Sequence, residues 1–393
     1  MLRANWTPVY LIALGAFALG MASYVTAGLL PLIVRDFSVS LALAAQLVTA
    51  FTLAYGLGSP LIVAVLPVQR QREGLLMALL VFVLANLASA LAPTFAWLLF
   101  TRAVAGVAAG VYLAMGMAAA AGLCRSHQQG KAIALIMGGM ASGTVIGVPL
   151  SLLLAQHLGW AAAIWLVAIL GGLAWLGLAW RLPALAATQV LSLRSKLRLL
   201  GDVQVLSILL VSLLAAVASL GMYTFITPLL AEQGHGLLPV AVYLWVWGIG
   251  GVLGSFLIGS LVDRYPGSQL TLGILLLLGL SLLLLPLAAQ FGAWLLMLPI
   301  AVWGAVGWAL QVPQNQALLN ARTQQGDGHV ALALNESALY LGSAIGAALG
   351  GLHMLQGGSA WLLAVVAGAV ALLGALVLWG GLFKRKRSSQ VKP

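Results

Sequence analysis

Apolar residues run along this chain in twelve long blocks, at 8–30, 41–66, 74–91, 96–122, 131–155, 160–180, 203–230, 239–261, 270–288, 293–318, 330–354 and 359–382. A block of about 20 apolar residues spans the hydrocarbon core of a bilayer as a helix. In lipid, the backbone polar groups of a lone segment are satisfied only by helical hydrogen bonds. The pattern therefore predicts an all-α polytopic membrane protein with twelve transmembrane helices. Polar residues gather in the short breaks between blocks, the longest running from about 181 to 202. Composition agrees, with 63% hydrophobic and 6% charged residues. A soluble domain uses charge at roughly a quarter of its positions, so that class is excluded.

The charges sort by side. Arg3, Arg70, Arg72, Arg125, Lys131, Arg181, Arg194, Lys196, Arg198, Arg264, Arg322, Lys384, Arg385, Lys386, Arg387 and Lys392 all fall on alternate breaks or the termini. Arg35 stands on the other side and Arg102 inside the fourth block. Basic residues mark the cytoplasmic side, so both termini are expected there and the span number is even. The net charge of +11 is spread over short loops and a tail. Nucleic-acid binding needs a clustered basic face instead, and is not expected. The Lys384–Arg387 tail reads as a topology signal or as a contact to anionic membrane lipid. The first block is too long for a cleaved signal peptide and lacks a small-residue cleavage site. Cys124 is the single cysteine, and no two of the five histidines share metal-ligand spacing, so no disulfide, metal or cofactor is expected.

The chain also repeats itself. Gly58-Ser59 in the second block answers Gly254-Ser255 in the eighth, and Pro31 lies near the counterpart of Pro228, at an offset of about 196 residues. This predicts an N-terminal six-helix bundle at 1–182, a cytoplasmic linker at 183–202, and a C-terminal six-helix bundle with its basic tail at 203–393. Repeated halves mark secondary transporters, whose substrate site forms near the midplane. Small residues crowd the fifth block, from Gly138-Gly139 through Gly143 and Gly147, and the eleventh, from Gly342 through Gly346 to Gly350-Gly351. Small residues at four-residue spacing let helices approach closely. Their place in matching blocks suggests a seam on which two bundles rock.

Six fragments in order carry a resemblance. They are Gly28-Leu29-Leu30-Pro31, Arg102 with Gly106, Gly147-Val148-Pro149-Leu150 followed by Gly159-Trp160, Tyr223-Thr224-Phe225-Ile226-Thr227-Pro228, Gly259-Ser260-Leu261-Val262-Asp263-Arg264, and Asn335 with Leu341-Gly342 through Gly350-Gly351. Over nearly its whole length the chain resembles the major facilitator superfamily, and within it the twelve-span drug:proton antiporter branch that includes the arabinose-efflux-permease-like exporters. The resemblance implies two pseudo-symmetric six-helix bundles around a cavity, in a monomer of the bacterial inner membrane. It makes Gly143, Gly147 and Pro149 an antiporter-like motif, and Asp263 and Arg264 a conformational latch. Relatives usually carry a glutamate in the first span where this chain has Ser23.

Seven acids are present. Asp36, Glu73, Asp202, Glu232, Asp263 and Asp327 fall in breaks or at block ends, and Glu336 alone lies within a block. An ionisable group at that depth is costly and marks a functional position. Glu336 is the expected proton carrier in place of the missing first-span acid, and Arg102 its expected partner in a coupling relay. Candidate cavity residues are Ser23, Tyr24, Gln46, Thr49, Tyr55, Tyr112 and Met115 in the first half, with Tyr223, Thr224, Phe225, Trp303, Trp308, Gln311, Asn335 and Tyr340 in the second. A mostly apolar cavity with few charges suits amphiphilic small molecules. The expected activity is export of such molecules by proton antiport. A dedicated metabolite exporter and an uncoupled facilitator stay open, while an enzyme would need a catalytic cluster that the sequence lacks.

Overall fold

The computed structural model describes residues 6–65, 70–124, 128–185, 199, 201–232, 238–262, 264–322 and 328–390, apart from the side chains of 64–65, 121, 130, 328–330 and 381–390. Twelve helices are long and apolar enough to cross a membrane. They are Thr7–Phe37 (α1), Leu41–Val63 (α2), Gln71–Ala90 (α3), Phe95–Ala120 (α4), Lys131–Leu158 (α5) and Trp160–Arg181 (α6) in the first half. The second half holds Val203–Thr224 (α7), Val240–Val262 (α8), Gly267–Gln290 (α9), Ala293–Ala321 (α10), Ala331–Leu355 (α11) and Ala360–Gly380 (α12). No strand occurs among the described residues. Each expected block becomes one span, so hydropathy alone located all twelve.

The chain divides into two compact units, Met1–Leu193 and Arg194–Pro393. Residues 186–198 and 200 of the expected linker lie outside the described residues. Both units use the same pairings: α1 packs on α5 and α6, α3 on α4 and α6, and α2 on α4, as α7 does on α11 and α12, α9 on α10 and α12, and α8 on α10.

Glycine makes these pairings close. A Cβ on Gly106 of α4 would strike the Phe51 carbonyl of α2, and one on Gly304 of α10 would strike the Trp247 carbonyl of α8. Phe51 and Trp247 are 196 residues apart, so the repeat extends to individual backbone contacts. Several of the glycines expected to form a seam between bundles serve packing inside each one. Gly139 and Gly143 of α5 press on the carbonyls of Ala13 and Phe17 in α1, Gly342 of α11 meets Leu213 of α7, and Gly346 meets Gly221. With lipid as apolar as the side chains, close backbone contact is what holds membrane helices together.

Three breaks refine the expected spans. Pro31 does not close α1, because the helix runs on to Phe37 and ends at Ser38 in the left-handed conformation (φ 53°, ψ 40°). A proline inside a membrane helix is tolerated where neighbouring helices satisfy the freed backbone. In α7 the break falls earlier, at Phe225, and a short helix Ile226–Ala231 follows it. Single π-helical turns interrupt α2 at Ala54–Gly58 and α5 at Gly143–Gly147. Such turns cluster at functional positions, and they contain Tyr55 and the antiporter-like Gly143 and Gly147. Pro149 follows in the first turn of the helix beyond.

Polar side chains tie the helix ends. At one end of the first unit, Trp160 Nε1 donates to Asp36 Oδ2 (2.6 Å), joining α6 to α1. In the second, Ser359 Oγ and the Ala360 amide donate to Glu232 (2.7 Å each), joining the start of α12 to the segment after α7. Asp36 and Glu232 are again 196 residues apart. At the opposite end, Asp202 caps α7 by accepting from the amides of Gln204 (2.8 Å) and Val205 (3.3 Å), and it accepts from Arg322 Nη1 (2.8 Å). Burial alone would raise the Asp202 carboxyl pKa. The two amides and the Arg322 guanidinium outweigh it and hold the group below its ordinary value.

Candidate functional site

The C-terminal unit gathers its polar side chains on α10 and α11. Helix α10 continues through Leu310 into Gln311–Ala321, which places Gln311, Gln314 and Asn315 at helical spacing along one side. Gln311 Nε2 donates to Glu336 Oε1 of α11 (3.0 Å), and Asn335 Nδ2 donates to Asn315 Oδ1 (2.8 Å). Gln314, buried, turns to α7 and donates to Ser212 Oγ (3.1 Å) and the Ile208 carbonyl (3.3 Å). Asn335 is fully buried, and its Oδ1 has no hydrogen-bond partner. Two helices are thus bridged by one carboxylate and three amides.

Glu336 lies five residues into α11, roughly 8 Å along the axis from Ala331. It is half-buried. The exposed residues of α11 are Ile345, Leu349, Leu352 and, at its last position, Leu355. At about 100° per residue, Glu336 stands on the opposite side of the helix from the first three. Its exposure therefore faces inward, away from the lipid side of α11. The spans packed on α11 are α7, α10 and α12, and none of them contains an acid, lysine, arginine or histidine. Glu336 thus has no charged neighbour on those spans.

An aromatic cluster adjoins this pair. Tyr223 of α7 lies 4.5 Å, centroid to centroid, from Trp247 of α8, which is 6.2 Å from Trp303 and 5.7 Å from Trp308 of α10. Trp303 Nε1 donates to Ser219 Oγ (2.9 Å). Trp247 and Trp303 are almost wholly enclosed, at 1% exposure, whereas Trp308 is half-buried. Thr224 and Phe225 are buried in the break of α7, where the Phe225 ring packs on Gly350. Tyr340 is buried on α11, one turn past Glu336.

In the N-terminal unit Arg102 is buried, at 1% exposure, and so does not reach toward water. Its Nη2 donates to the Ala22 carbonyl of α1 (2.7 Å) and its guanidinium lies 4.4 Å from the Phe51 ring centroid. Nε has no partner, and no carboxylate pairs with Arg102 among the described residues. Within its own unit Arg102 thus meets a backbone carbonyl and an aromatic face. Ser23 donates to the Leu19 carbonyl of its own helix (2.9 Å), and Tyr112 donates to the Ile12 carbonyl (3.0 Å) from full burial, which makes it a strut between α4 and α1. Gln46 bonds the Ala42 carbonyl (3.3 Å), the Thr49 hydroxyl has no partner, and Tyr55 is buried in its π-turn. Tyr24 and Met115 are half-buried. The latch residue Asp263 lies outside the described residues, while Arg264 is exposed in the turn before α9.

Sequence reasoning missed Trp247, Gln314, Asn315 and Phe51. Signals for three of them existed: Gln311, Gln314 and Asn315 interrupt an otherwise apolar span at helical spacing, and Trp247 sits one repeat length from Phe51.

The sequence profile of the Major Facilitator Superfamily matches residues 12–329. The chain is 31% identical over 375 residues to the inner membrane transport protein YdhP of Escherichia coli K12, covering 94% of each. It is 32% identical over 278 residues to a chloramphenicol resistance protein of Streptomyces lividans, covering 69% of this chain and 71% of that one. Its fold matches the xylose transporter XylE of E. coli with a TM-score of 0.76 at 16% identity, covering 96% of this chain and 99% of that one. With twelve spans in two like-paired halves, the chain belongs to the Major Facilitator Superfamily of membrane transporters.

Proposed function

We propose that the protein is a secondary active transporter of the bacterial inner membrane that exports drug-like or amphiphilic molecules from the cytoplasm in exchange for protons. The observation that carries this reading is Glu336, an inward-facing carboxylate on α11 that is held by Gln311 and has no charged neighbour on the spans packed against it. A carboxylate so placed can exist charged or neutral without breaking an ion pair, which is what a proton carrier requires. Gln311 donates to the ionised form and can accept from the protonated one, so its side chain serves both states. Alternating access then loads Glu336 with a proton from outside and releases that proton to the cytoplasm. The ionised state that follows is the one that accepts substrate. Arg102 supplies a fixed positive potential in the N-terminal bundle, where relatives carry a span-1 acid and this chain has Ser23. The relatives named for chloramphenicol resistance and inner-membrane transport support export and location.

Ser23 also supports a second reading, facilitated diffusion without coupling, because its hydroxyl is engaged by its own helix. Purified protein in liposomes separates the two. With an imposed pH gradient, chloramphenicol or another panel compound should accumulate against its own gradient and collapse when protonophore is added. Equilibration without accumulation, insensitive to protonophore, would establish the facilitator.

A further inference from the structure

Where α7 and α9 begin and α10 finishes, these helices and α12 border a cavity of about 260 Å³. Its polar wall is made of Gln204 and Ser207 of α7, Ser268 and Thr271 of α9, and Gln316 and Asn320 of α10. Val377 and Leu378 of α12 supply an apolar side. Among the described residues, no acid, lysine, arginine or histidine lines it. The cavity is separate from the Glu336 pair. Along the helix Gln311–Ala321, Gln316 and Asn320 stand roughly 140° and 180° around from Gln311, the residue that meets α11.

The lining groups are neutral, and together they both donate and accept. Ser207 Oγ donates to the Gln204 carbonyl (2.8 Å) and Thr271 Oγ1 to the Gly267 carbonyl (2.9 Å), so the lone pairs of both hydroxyls remain as acceptors. Gln204 and Gln316 each carry an amide with donors and an acceptor. Helix α9 starts at Gly267 with no side chain capping it, so the amides of Gly267 and Ser268 have no intrahelical acceptor, and both residues line the cavity. Such a set matches the hydroxyls of an uncharged polyol, which also donate and accept. A charged ligand would be desolvated there without a counter-ion. The volume falls below the roughly 300–1,000 Å³ of pockets for drug-sized molecules, which sets the ligand at monosaccharide size. Asn320, exposed one residue before the end of α10, marks the mouth.

We propose that this cavity binds a small uncharged polyol, as a second site on the far side of α10 from Glu336. The inference rests neither on export nor on proton coupling. The bound polyol bridges α7, α9 and α10 through its hydroxyls and lays its C–H surface on Val377 and Leu378. A ligand held by three helices of the folded unit stabilises that unit, so Tm rises with its concentration.

The probes are glucose, myo-inositol and sorbitol, with inorganic phosphate as the anion that an uncapped helix start would attract. They are added to purified full-length protein in lipid nanodiscs, which avoids detergents with sugar headgroups. Calorimetry and Tm read the binding. At least one polyol should bind saturably at millimolar concentration, and phosphate should not. Gln316→Leu and Thr271→Val, both close to the native volume, should each weaken that polyol about 3- to 10-fold. Ala317→Phe, which places a ring in the cavity, should abolish binding, with Tm in the absence of ligand reporting that the variant is folded. No saturable binding by any of the three polyols, or preference for phosphate, overturns the proposal. So does an affinity unchanged in both Gln316→Leu and Thr271→Val. Polyol binding lost in Glu336→Gln but kept in Gln316→Leu would place the ligand on the α11 side and overturn it as well.

Discussion

Replacing Asp202 separates two interactions made by one carboxylate. Oδ1 caps α7 through two backbone amides, and Oδ2 pairs with Arg322 at the end of α10. Asparagine is as good a cap as aspartate but cannot pair with a cation, whereas alanine can do neither. Losing a cap costs about 1 kcal/mol. The ion pair is intermediate, with side chains 31% and 14% exposed. Its loss therefore belongs between the roughly 0.5 kcal/mol of a surface pair and the 3–5 kcal/mol of breaking a buried one, at about 1–2 kcal/mol. Asp202→Asn should then cost about 1–2 and Asp202→Ala about 2–3 kcal/mol, roughly 2–4 °C of Tm per kcal/mol for a unit of this size. Thermal unfolding in detergent measures both, and an Asp202→Asn/Arg322→Gln double variant should be less destabilised than the sum of its singles. The pH dependence has a defined sign. The folded-state pKa lies below the unfolded value of about 3.9, so the contribution is complete above about pH 5 and is lost as pH falls through the folded value. Equal Tm losses in Asp202→Asn and Asp202→Ala would refute the separate cap, and a strictly additive double variant would refute the ion pair.

Other variants probe the packing and the buried charge. Gly346→Val should cost well over 2 kcal/mol, because a Cβ there lies 2.6 Å from Gly221 Cα, while Gly138→Ala, with nothing within 4 Å, should stay within about 0.5 kcal/mol; Tm in detergent reads both. Glu232→Ala should lower Tm by about 1–2 kcal/mol through the lost bonds to the first turn of α12, and Glu232→Gln should recover part of it. Arg102→Met should hold or raise Tm, since it removes a buried charge that no acid pairs. If the positive potential serves transport, the same variant should lose flux in liposomes; full flux would make Arg102 dispensable.

Hydropathy and loop charge made the spans legible because a bilayer imposes one rule on every crossing segment. The rule says nothing about which face of a helix meets which neighbour. That is why Gly143 and Gly346 read as a seam between bundles when they serve contacts inside each one. The first block ends at 30, short of the helix's end at Phe37, because the backbone cost of Pro31 depends on neighbours the sequence does not show. The π-turn at Ala54–Gly58 left no trace in a run of apolar residues. Glu336 was legible because one acid in an apolar block has few explanations. Its partner Gln311 was named only as a cavity residue, and the pairing needed the register of α10 against α11. Tyr112 shows the reverse error, a polar aromatic named for the cavity whose hydroxyl ties α4 to the Ile12 carbonyl.

The central claim is that Glu336 carries the proton, and Glu336→Gln in liposomes tests it most directly. The amide keeps the size of the side chain and a bond to Gln311, but it cannot titrate. The variant should exchange a panel substrate that wild type transports between the two sides at a measurable rate, with no gradient imposed. It should fail to accumulate that substrate when a pH gradient is applied, and substrate flux should move no protons as read by an internal pH dye. Gradient-driven accumulation at the wild-type rate in Glu336→Gln, with proton movement intact, would contradict the account.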